Sequence, residues 1–215
     1  MRTIRVTGRG NLTLQPDLTR ISLFLSALCE EYGDAVARSA SDTEKLKEVL
    51  APLGFAREDL KTSQFSVDPE YEEYQEEGAF RQRLTGYRYR HTVKIEFPRE
   101  DRLLGQVLHA VAHSELQPEF DITYTVRDKE SARGALLAGA VADAGAKAAL
   151  LAQAAGVTLK EVRRIDCSFG ETDMTVRPMM NRMASADCKA AGIPLEVQPE
   201  DIVLSDTVTV VWEIG

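Results

Sequence analysis

Apolar and polar residues alternate along the first part of the chain, and this pattern predicts two strands. TIRVTGRGNLTL, residues 3–14, has the two-residue period of a half-buried strand. LTRISLFLSALCE, residues 18–30, is a longer apolar strand. Pro16 and Asp17 lie between them and predict a turn. We therefore expect the two strands to form a hairpin.

A helical pattern follows, with Asp34 as the expected N-cap. Gly54 ends the helix, because glycine readily adopts the left-handed conformation of a helix C-terminus. A strand from Lys61 to about Tyr71, a glutamate-rich turn and a strong strand at residues 87–97 come next. Six apolar residues fall near one face of the predicted helix: Val36, Ala40, Leu46, Val49, Leu50 and Leu53.

The rest of the chain repeats this order of elements. An amphipathic helix at residues 99–113 is followed by a strand at 119–126 and an alanine-rich helix at 129–155, which Gly156 ends. A strand at 161–169, an irregular stretch at about 170–200 and a final strand, DTVTVVWEI, complete the pattern. Gly134, Gly139 and Gly145 each cost the long helix about 1 kcal/mol relative to alanine. Close packing against a sheet or another helix would offset that cost.

Two similar stretches indicate an internal repeat. GFAREDLKTSQFSV, residues 54–67, and GVTLKEVRRIDCSF, residues 156–169, match at Gly54/Gly156, Asp59/Glu161, Leu60/Val162 and Ser66/Ser168. We therefore predict the α+β class, with two similar strand-helix-strand-strand units and a possible internal duplication. Each unit is expected to have an antiparallel or mixed sheet with helices on one face. The predicted units are residues 1–97 and 98–215, with a connector helix at about 99–113.

Composition narrows the possible functions. A net charge of −8 and a pI near 5 argue against binding to a nucleic-acid backbone. The three cysteines form no CxxC pair, which argues against a disulfide framework or a structural zinc site. The N-terminus lacks the apolar region of a signal peptide, and we expect no membrane span. These features predict a cytoplasmic protein; a periplasmic or surface-associated location is the alternative if a signal has been removed.

Motifs for catalysis are lacking, and we therefore predict a non-enzymatic protein without a cofactor. The sequence contains no GxSxG and no P-loop, and GRGNLT at residues 8–13 lacks the third glycine of a dinucleotide loop. Two groups remain as candidate metal ligands: His109 and His113, four residues apart on one helix, and Met179, Met180 and Met183 in a methionine-rich stretch. The alternatives are a histidine pair at a solvated helix edge and methionines that fill a core gap or an adaptable contact surface.

Charge patterning singles out residues 68–90. DPEYEEYQEE at residues 68–77 carries six carboxylates, and four arginines follow. If residues 61–97 form a hairpin, one strand is acidic and the other basic. The pairs would then be exposed cross-strand ion pairs, or the hairpin would be a projecting arm that pairs with a neighbouring subunit. The candidate interface residues are Glu70, Tyr71, Glu73, Tyr74, Arg81, Arg83, Arg88 and Arg90.

Several blocks resemble the SIMPL-domain family. They are IRVTGRGNLTLQPDLTRISL, LGFAREDLKTSQFSVDPEY, LTGYRYRHTVKIEF, DAGAKAALLAQAAGVTLKEV and IPLEVQPEDIVLSDTVTV. The resemblance covers nearly the whole chain. It implies a bacterial periplasmic or surface-associated protein, tied in some relatives to defence against oxidative stress and in one immunogenic relative to assembly into a large oligomer. It implies no catalytic residues.

These observations favour a self-assembling, homo-oligomeric protein with a stress-protective or envelope-linked role, and with itself as the expected partner. Two other functions stay open. The chain could bind a small molecule or a metal through the histidine pair or the methionines. It could also be an enzyme with a site between the two units.

Overall fold

The computed structural model describes residues 2–76, 79–167, 173–178 and 198–215, and it confirms the α+β class. The strands are β1 (Arg2–Leu14), β2 (Leu18–Cys29), β3 (Lys61–Glu76), β4 (Ala79–Pro98), β5 (Glu119–Thr125), β6 (Leu159–Cys167), β7 (Thr175–Val176) and β8 (Ile202–Ile214). The α-helices are α1 (Tyr32–Leu50), α2 (Asp101–Ala112) and α3 (Lys129–Ala154). Short 3₁₀ turns at Ala51–Leu53 and Arg57–Asp59 follow α1.

The chain forms two compact units whose boundaries differ from the predicted division at residue 97. The α3 unit comprises Met1–Asp17, Thr125–Val176 and Pro199–Gly215, and the α1 unit comprises Leu18–Tyr124 and Arg177–Gln198. The N-terminal strand therefore joins the C-terminal part of the chain. The helix predicted as a connector is α2, which lies inside the α1 unit.

The α1 unit is built around a sheet in which β3, β4, β2 and β5 follow one another. β4 is antiparallel to both β2 and β3. Alternate residues of β2 and β4 point toward α1 and α2 and form one apolar core with residues such as Ile21, Leu46 and Ile95, all fully buried. The buried face of α1 differs from the expected one, since Val36 is exposed and the buried positions are Ala35, Ser39, Asp42, Leu46 and Leu50.

The α3 unit has a three-stranded sheet in the order β1–β8–β6, with β8 antiparallel to both neighbours. Asp128 caps α3 by accepting a hydrogen bond from the Ser131 N–H, at 2.8 Å. Every fourth residue of α3 is buried: Ala132, Leu136, Ala140, Ala144, Ala148 and Ala152. Among the described helices, α3 alone is long and apolar enough to cross a membrane by length and composition, a test that core helices also pass.

Small residues let α3 approach β1 closely. A Cβ atom at Gly8 would lie 2.0 Å from the Ala140 carbonyl oxygen and 2.4 Å from the Ala144 nitrogen. A Cβ at Gly10 would lie 2.1 Å from the Leu136 carbonyl oxygen. The two glycines that resemble part of a dinucleotide loop therefore make room for the helix backbone.

The predicted hairpin between β1 and β2 is wrong. β1 pairs along its whole length with β8, from Arg2 opposite Ile214 to Leu14 opposite Ile202, whereas β2 pairs with β4. The turn between β1 and β2 instead binds the residues that follow β5. The Asp17 N–H donates to the Thr125 carbonyl at 3.1 Å, and the Asp17 carboxylate accepts from the Arg127 N–H at 2.7 Å.

The predicted repeat corresponds to a shared topology. In each unit a helix ends at a left-handed glycine, Gly54 or Gly156, and an edge strand follows. The edge strand pairs with a later strand, which lies between it and a strand that precedes the helix, and this gives the orders β3–β4–β2 and β6–β8–β1. The first strand of the second unit is β1, and not the 119–126 strand that the sequence pattern indicated.

Candidate functional site

The β3–β4 hairpin extends beyond the strand that supports it. The pairing of β2 with β4 stops at Cys29 opposite Tyr87, whereas β3 and β4 continue from Glu70 opposite Gly86 to Glu76 opposite Ala79. We call residues 70–76 and 79–86 the arm. Among the described residues, the two strands pair only with each other over this length, and an isolated two-stranded ribbon is marginally stable in water. The arm therefore lacks a third strand within the described part of the α1 unit.

A bulge marks the base of the arm. The register shifts between Glu70 and Tyr71, so that Thr85 is an extra residue on β4, and its hydroxyl donates to the Glu70 carbonyl at 2.9 Å. A Cβ at Gly86 would lie 2.2 Å from the Cys29 carbonyl oxygen, so glycine is needed where β2 ends. Bulges increase the local twist and re-aim the residues beyond them. The bulge therefore decides which arm residues share a face.

One face of the arm and its base carries ion pairs within the chain. Arg83 binds Glu72, and its guanidinium lies 5.9 Å from the centre of the Tyr74 ring. At the base, Arg88 donates to both carboxylate oxygens of Glu70, one of them at 2.8 Å. These hydrogen bonds lower the pKa of Glu70 and raise that of Arg88. Arg90 binds Asp68 at 3.0 Å.

The other face of the arm is largely apolar. Residues opposite each other in an antiparallel pair share a face, and the pairs here are Tyr71/Leu84, Glu73/Gln82 and Gln75/Phe80. The exposed fractions are 55% for Tyr71, 77% for Phe80 and 45% for Leu84. Glu73 is the sole charged residue on this face, and it accepts a hydrogen bond from Gln82 at 3.3 Å. Within the described part of the unit, no helix covers these side chains.

The predicted interface residues thus divide between the two faces of the arm: Tyr71 and Glu73 lie on the apolar face, and the others lie on the charged face and its base. The structure brings Glu70, Arg83 and Arg88 together with partners on the opposite strand, which is the arrangement of exposed cross-strand pairs. Arg81 lies opposite Tyr74 on the charged face. Phe80 and Leu84 were not among the candidates, although the alternation Phe80-Arg81-Gln82-Arg83-Leu84 is the signal that would have indicated one apolar face.

A second cluster of polar residues lies under α1. Asp42, only 4% exposed, accepts hydrogen bonds from the Tyr89 hydroxyl at 2.5 Å and from the Arg38 Nε at 3.0 Å. Burial, followed by the hydrogen bond to Asp42, raises the pKa of Tyr89. The cluster was missed from sequence, although Ser39 and Asp42 occupy the same helical face as Leu46 and Leu50.

His91 connects α1 to β3 beside this cluster. Its Nδ1 lies 3.1 Å from the hydroxyl oxygens of both Ser39 and Thr43, and its Nε2 lies 2.8 Å from that of Thr62. Phe65 contacts the imidazole edge-on, with ring centres 5.4 Å apart. Burial, with a smaller contribution from Lys47, lowers the pKa of His91.

The buried side chains around His91 have a structural role. A nucleophile must be accessible to substrate and hydrogen-bonded to a base, yet Ser39 is 2% exposed. Asp42, which would orient a catalytic histidine, binds Tyr89 and Arg38 instead. The side chains therefore fix α1 on the sheet.

The candidate metal ligands do not form a site in the described residues. The imidazole rings of His109 and His113 stack, with centres 4.1 Å apart and planes inclined by 25°. A metal lies in the plane of each imidazole that binds it, at about 2.0–2.1 Å for zinc, and near-parallel stacked rings do not offer such a position. In the described ranges no three His, Cys, Asp or Glu side chains cluster for a metal. Met179, Met180 and Met183 lie outside those ranges.

A shallow depression occurs on the α3 unit. It has a volume of about 400 Å³ and is lined by Lys160, Glu161, Arg163 and Glu213. The hydrogen bond from Arg163 lowers the pKa of Glu213. Glu213 thus binds Arg163, and the Lys160 ammonium lies 3.9 Å from the same carboxylate.

Comparison with known proteins gives a family but no activity. A family model described as "SIMPL: Protein of unknown function (DUF541)" matches residues 4–212. The match covers nearly the whole chain and includes both units. The search of curated proteins gave no match.

Proposed function

The chain belongs to the SIMPL family, and from that premise we propose that it is a non-enzymatic protein that assembles with copies of itself through the apolar face of the arm. The observation that carries the proposal is the exposure of Tyr71, Phe80 and Leu84 on one face of a projecting ribbon. Fully burying an exposed leucine or phenylalanine side chain contributes roughly 1.5–3 kcal/mol. A second protein surface would recover a part of that free energy in proportion to the area that is still exposed.

The apolar face, and not the charges, is the part of the arm that would drive assembly. The carboxylates of Asp68, Glu70 and Glu72 already bind arginines of the same chain. Exposed ion pairs contribute little net free energy. Their role in the proposal is to keep the opposite face of the arm hydrated.

The biological setting of the proposal rests on family resemblance alone. We propose a stress-protective or envelope-linked role, in the cytoplasm or, as the alternative, in the periplasm or at the cell surface. A fractionation experiment with the full-length native gene product would decide between these compartments.

The test of assembly is the native mass from light scattering, at micromolar concentration, in about 0.1 M and about 1 M NaCl. The Debye length falls from about 10 Å to about 3 Å between these conditions. We expect a mass well above the 23.8 kDa of one chain at both salts. We expect the double variant Phe80→Ser/Leu84→Ser to be monomeric.

The matched control is Phe24→Ser/Leu28→Ser. These two residues are 40% and 43% exposed and lie on β2, on the face of the sheet that points away from α1. The control should retain the wild-type mass, because it removes similar apolar area outside the arm. A wild-type monomer at both salts would overturn the proposal. An assembly that dissociates at high salt would indicate that the charged residues, and not the apolar face, hold the copies together.

A further inference from the structure

Two lysines lie opposite each other on the face of the α1-unit sheet that points away from α1. The antiparallel register pairs Lys61 of β3 with Lys94 of β4, and residues directly opposite share a face. Val93 and Ile95, the neighbours of Lys94 in sequence, are buried in the core, so Lys94 points to the other side of the sheet. Lys61 is exposed and Lys94 is half-buried. Like charges directly opposite each other destabilise a sheet.

The two lysines differ from the other cations on this face of β2, β3 and β4, which bind carboxylates of the same chain. The ion pairs on this face are Arg20–Glu96, Arg90–Asp68 and Arg88–Glu70. Among the described residues, Lys61 and Lys94 have no ion-pair or hydrogen-bond partner. The pair therefore places two uncompensated positive charges side by side, in a chain whose net charge is −8.

Neutral hydrogen-bond donors lie next to the lysine pair on the same face. Ser22 of β2 is directly opposite Lys94, and Thr92 and Gln64 form the adjacent pair of β4 and β3. Hydroxyl and amide groups donate hydrogen bonds to an anion without adding charge. Two adjacent ammonium groups with such donors beside them match a small group that carries two negative charges and several acceptor oxygens.

We propose that Lys61 and Lys94 bind a phosphate group, either of a soluble compound or of a lipid headgroup. A phosphate monoester carries a charge of about −1.5 to −2 at pH 7 and presents three strong acceptor oxygens. The two ammonium groups neutralise that charge, and the hydroxyls of Ser22 and Thr92 donate to the remaining acceptors. Phe24, which is opposite Thr92 and 40% exposed, offers an apolar contact beside the site. The site lies outside the arm, so the inference does not depend on assembly.

The first test is the binding of inorganic phosphate to the full chain, by calorimetry and melting temperature at constant ionic strength. Phosphate should raise the melting temperature of the wild type, because a ligand that binds only the folded state stabilises it. Lys61→Gln/Lys94→Gln should bind phosphate at least about tenfold more weakly, since it removes two charged donors. Without phosphate this variant should melt no lower than the wild type, because the like-charge repulsion is gone. The matched control, Lys129→Gln/Lys160→Gln, removes the same charge from exposed positions of the α3 unit and should bind as the wild type does.

Vesicles distinguish the two sources of the phosphate group. The second test is flotation of the chain with phosphatidylcholine vesicles that contain or lack phosphatidic acid, whose headgroup is a phosphate monoester. Binding that requires phosphatidic acid and both lysines, and that Phe24→Ser weakens, supports a lipid headgroup. Binding of inorganic phosphate without flotation supports a soluble phosphate compound. The site is wrong if the wild type binds neither probe, or if Lys61→Gln/Lys94→Gln binds as tightly as the wild type or as the control.

Discussion

The α1 unit and the α3 unit arrange a helix and three strands in the same order but fill the space between helix and sheet differently. In the α1 unit, large side chains such as Leu46, Leu50 and Ile21 fill it. In the α3 unit, alanines at every fourth helical position meet Gly8 and Gly10 of β1. The same topology is therefore compatible with two kinds of packing. One depends on side-chain volume, and the other on the close approach of two backbones.

The two kinds of packing should fail in opposite directions. A core of large side chains is damaged when a side chain is shortened, because a cavity remains. An interface of glycine and alanine is damaged when a side chain is enlarged, because backbone atoms have no room to move. Shortening a buried side chain in the α1 unit and enlarging a glycine in the α3 unit therefore test whether the two units are packed in these different ways.

The largest effect is expected from Leu46→Ala in the α1 unit. Leu46 is fully buried in the core between α1 and the sheet. Truncation of a buried leucine typically costs about 2–5 kcal/mol, from lost burial and the remaining cavity. Urea unfolding in the background of Phe80→Ser/Leu84→Ser, the variant expected to be monomeric, would measure the loss without interference from assembly. A loss below about 1 kcal/mol would mean that this core is not tightly packed.

An intermediate effect is expected from Gly8→Ala in the α3 unit. The new methyl group would overlap the Ala140 carbonyl oxygen and the Ala144 nitrogen, and these backbone atoms cannot rotate away. Overpacking of this kind costs about 1–3 kcal/mol, and occasionally more. The same unfolding measurement applies. A neutral result would show that β1 and α3 are further apart than described.

Gly145→Ala is the matched control for that substitution. Gly145 lies in the same unit within α3, and a Cβ there would meet no atom within 4 Å. Alanine should therefore stabilise the helix by about 0.5–1 kcal/mol. Destabilisation at this position would indicate that the glycine leaves room for a contact beyond the described residues.

Much of the local structure could be predicted, whereas the pairing of distant strands could not. The alternation in β1 predicts a strand, and Gly54 and Gly156 predict helix ends. The partner of β1, however, lies about 200 residues away in β8. A two-residue period states which face of a strand is buried and says nothing about the strand that lies beside it. Proximity in sequence favours β2 as the partner of β1, and the predicted unit boundaries follow from that pairing.

The apolar face of the arm was missed for a related reason. The abundance of glutamates around Tyr71 and Tyr74 suggested a turn, and the strands were predicted to stop before it. In the structure the carboxylates bind arginines across the ribbon, which lets a highly charged segment remain extended. The bulge near Gly86 then aligns Leu84 with Tyr71. Neither the pairing nor the bulge is a property of one strand alone.

The buried polar cluster beside α1 was missed because a sequence pattern of apolar residues does not include buried polar ones. Ser39 and Asp42 are polar residues at positions where the helical period requires burial. A prediction from apolar residues alone shifts the expected buried face of α1 toward Val36, which is exposed. Their partners, Tyr89 and His91, are on β4, about 50 residues later. Polar residues at helical positions that the period predicts to be buried are thus a usable signal of a buried polar cluster. Their hydrogen-bond partners, however, are known only from the fold.

The smallest expected effect is a pH dependence that only the α1 unit should show, since all three histidines lie within residues 18–124. The pKa of His91 is lowered in the folded protein, chiefly by burial. The unfolded chain, with an imidazole pKa near 6.5, therefore binds more protons than the folded one between the lowered value and about 6.5. Stability should be full above about pH 6.5 and should fall as the pH drops through that interval.

The measurement is the melting temperature between about pH 5.5 and about pH 7.5, above the range in which most carboxylates titrate. His91→Gln keeps a polar side chain beside Ser39 and Thr62 but has no proton to gain, so the slope in this interval should flatten. His113→Gln, at an exposed position directly after α2, is the control for the loss of an imidazole elsewhere in the chain. If the slope survives in His91→Gln, the pH response arises elsewhere. Since the α3 unit contains no histidine, such a result would also weaken the contrast between the two units.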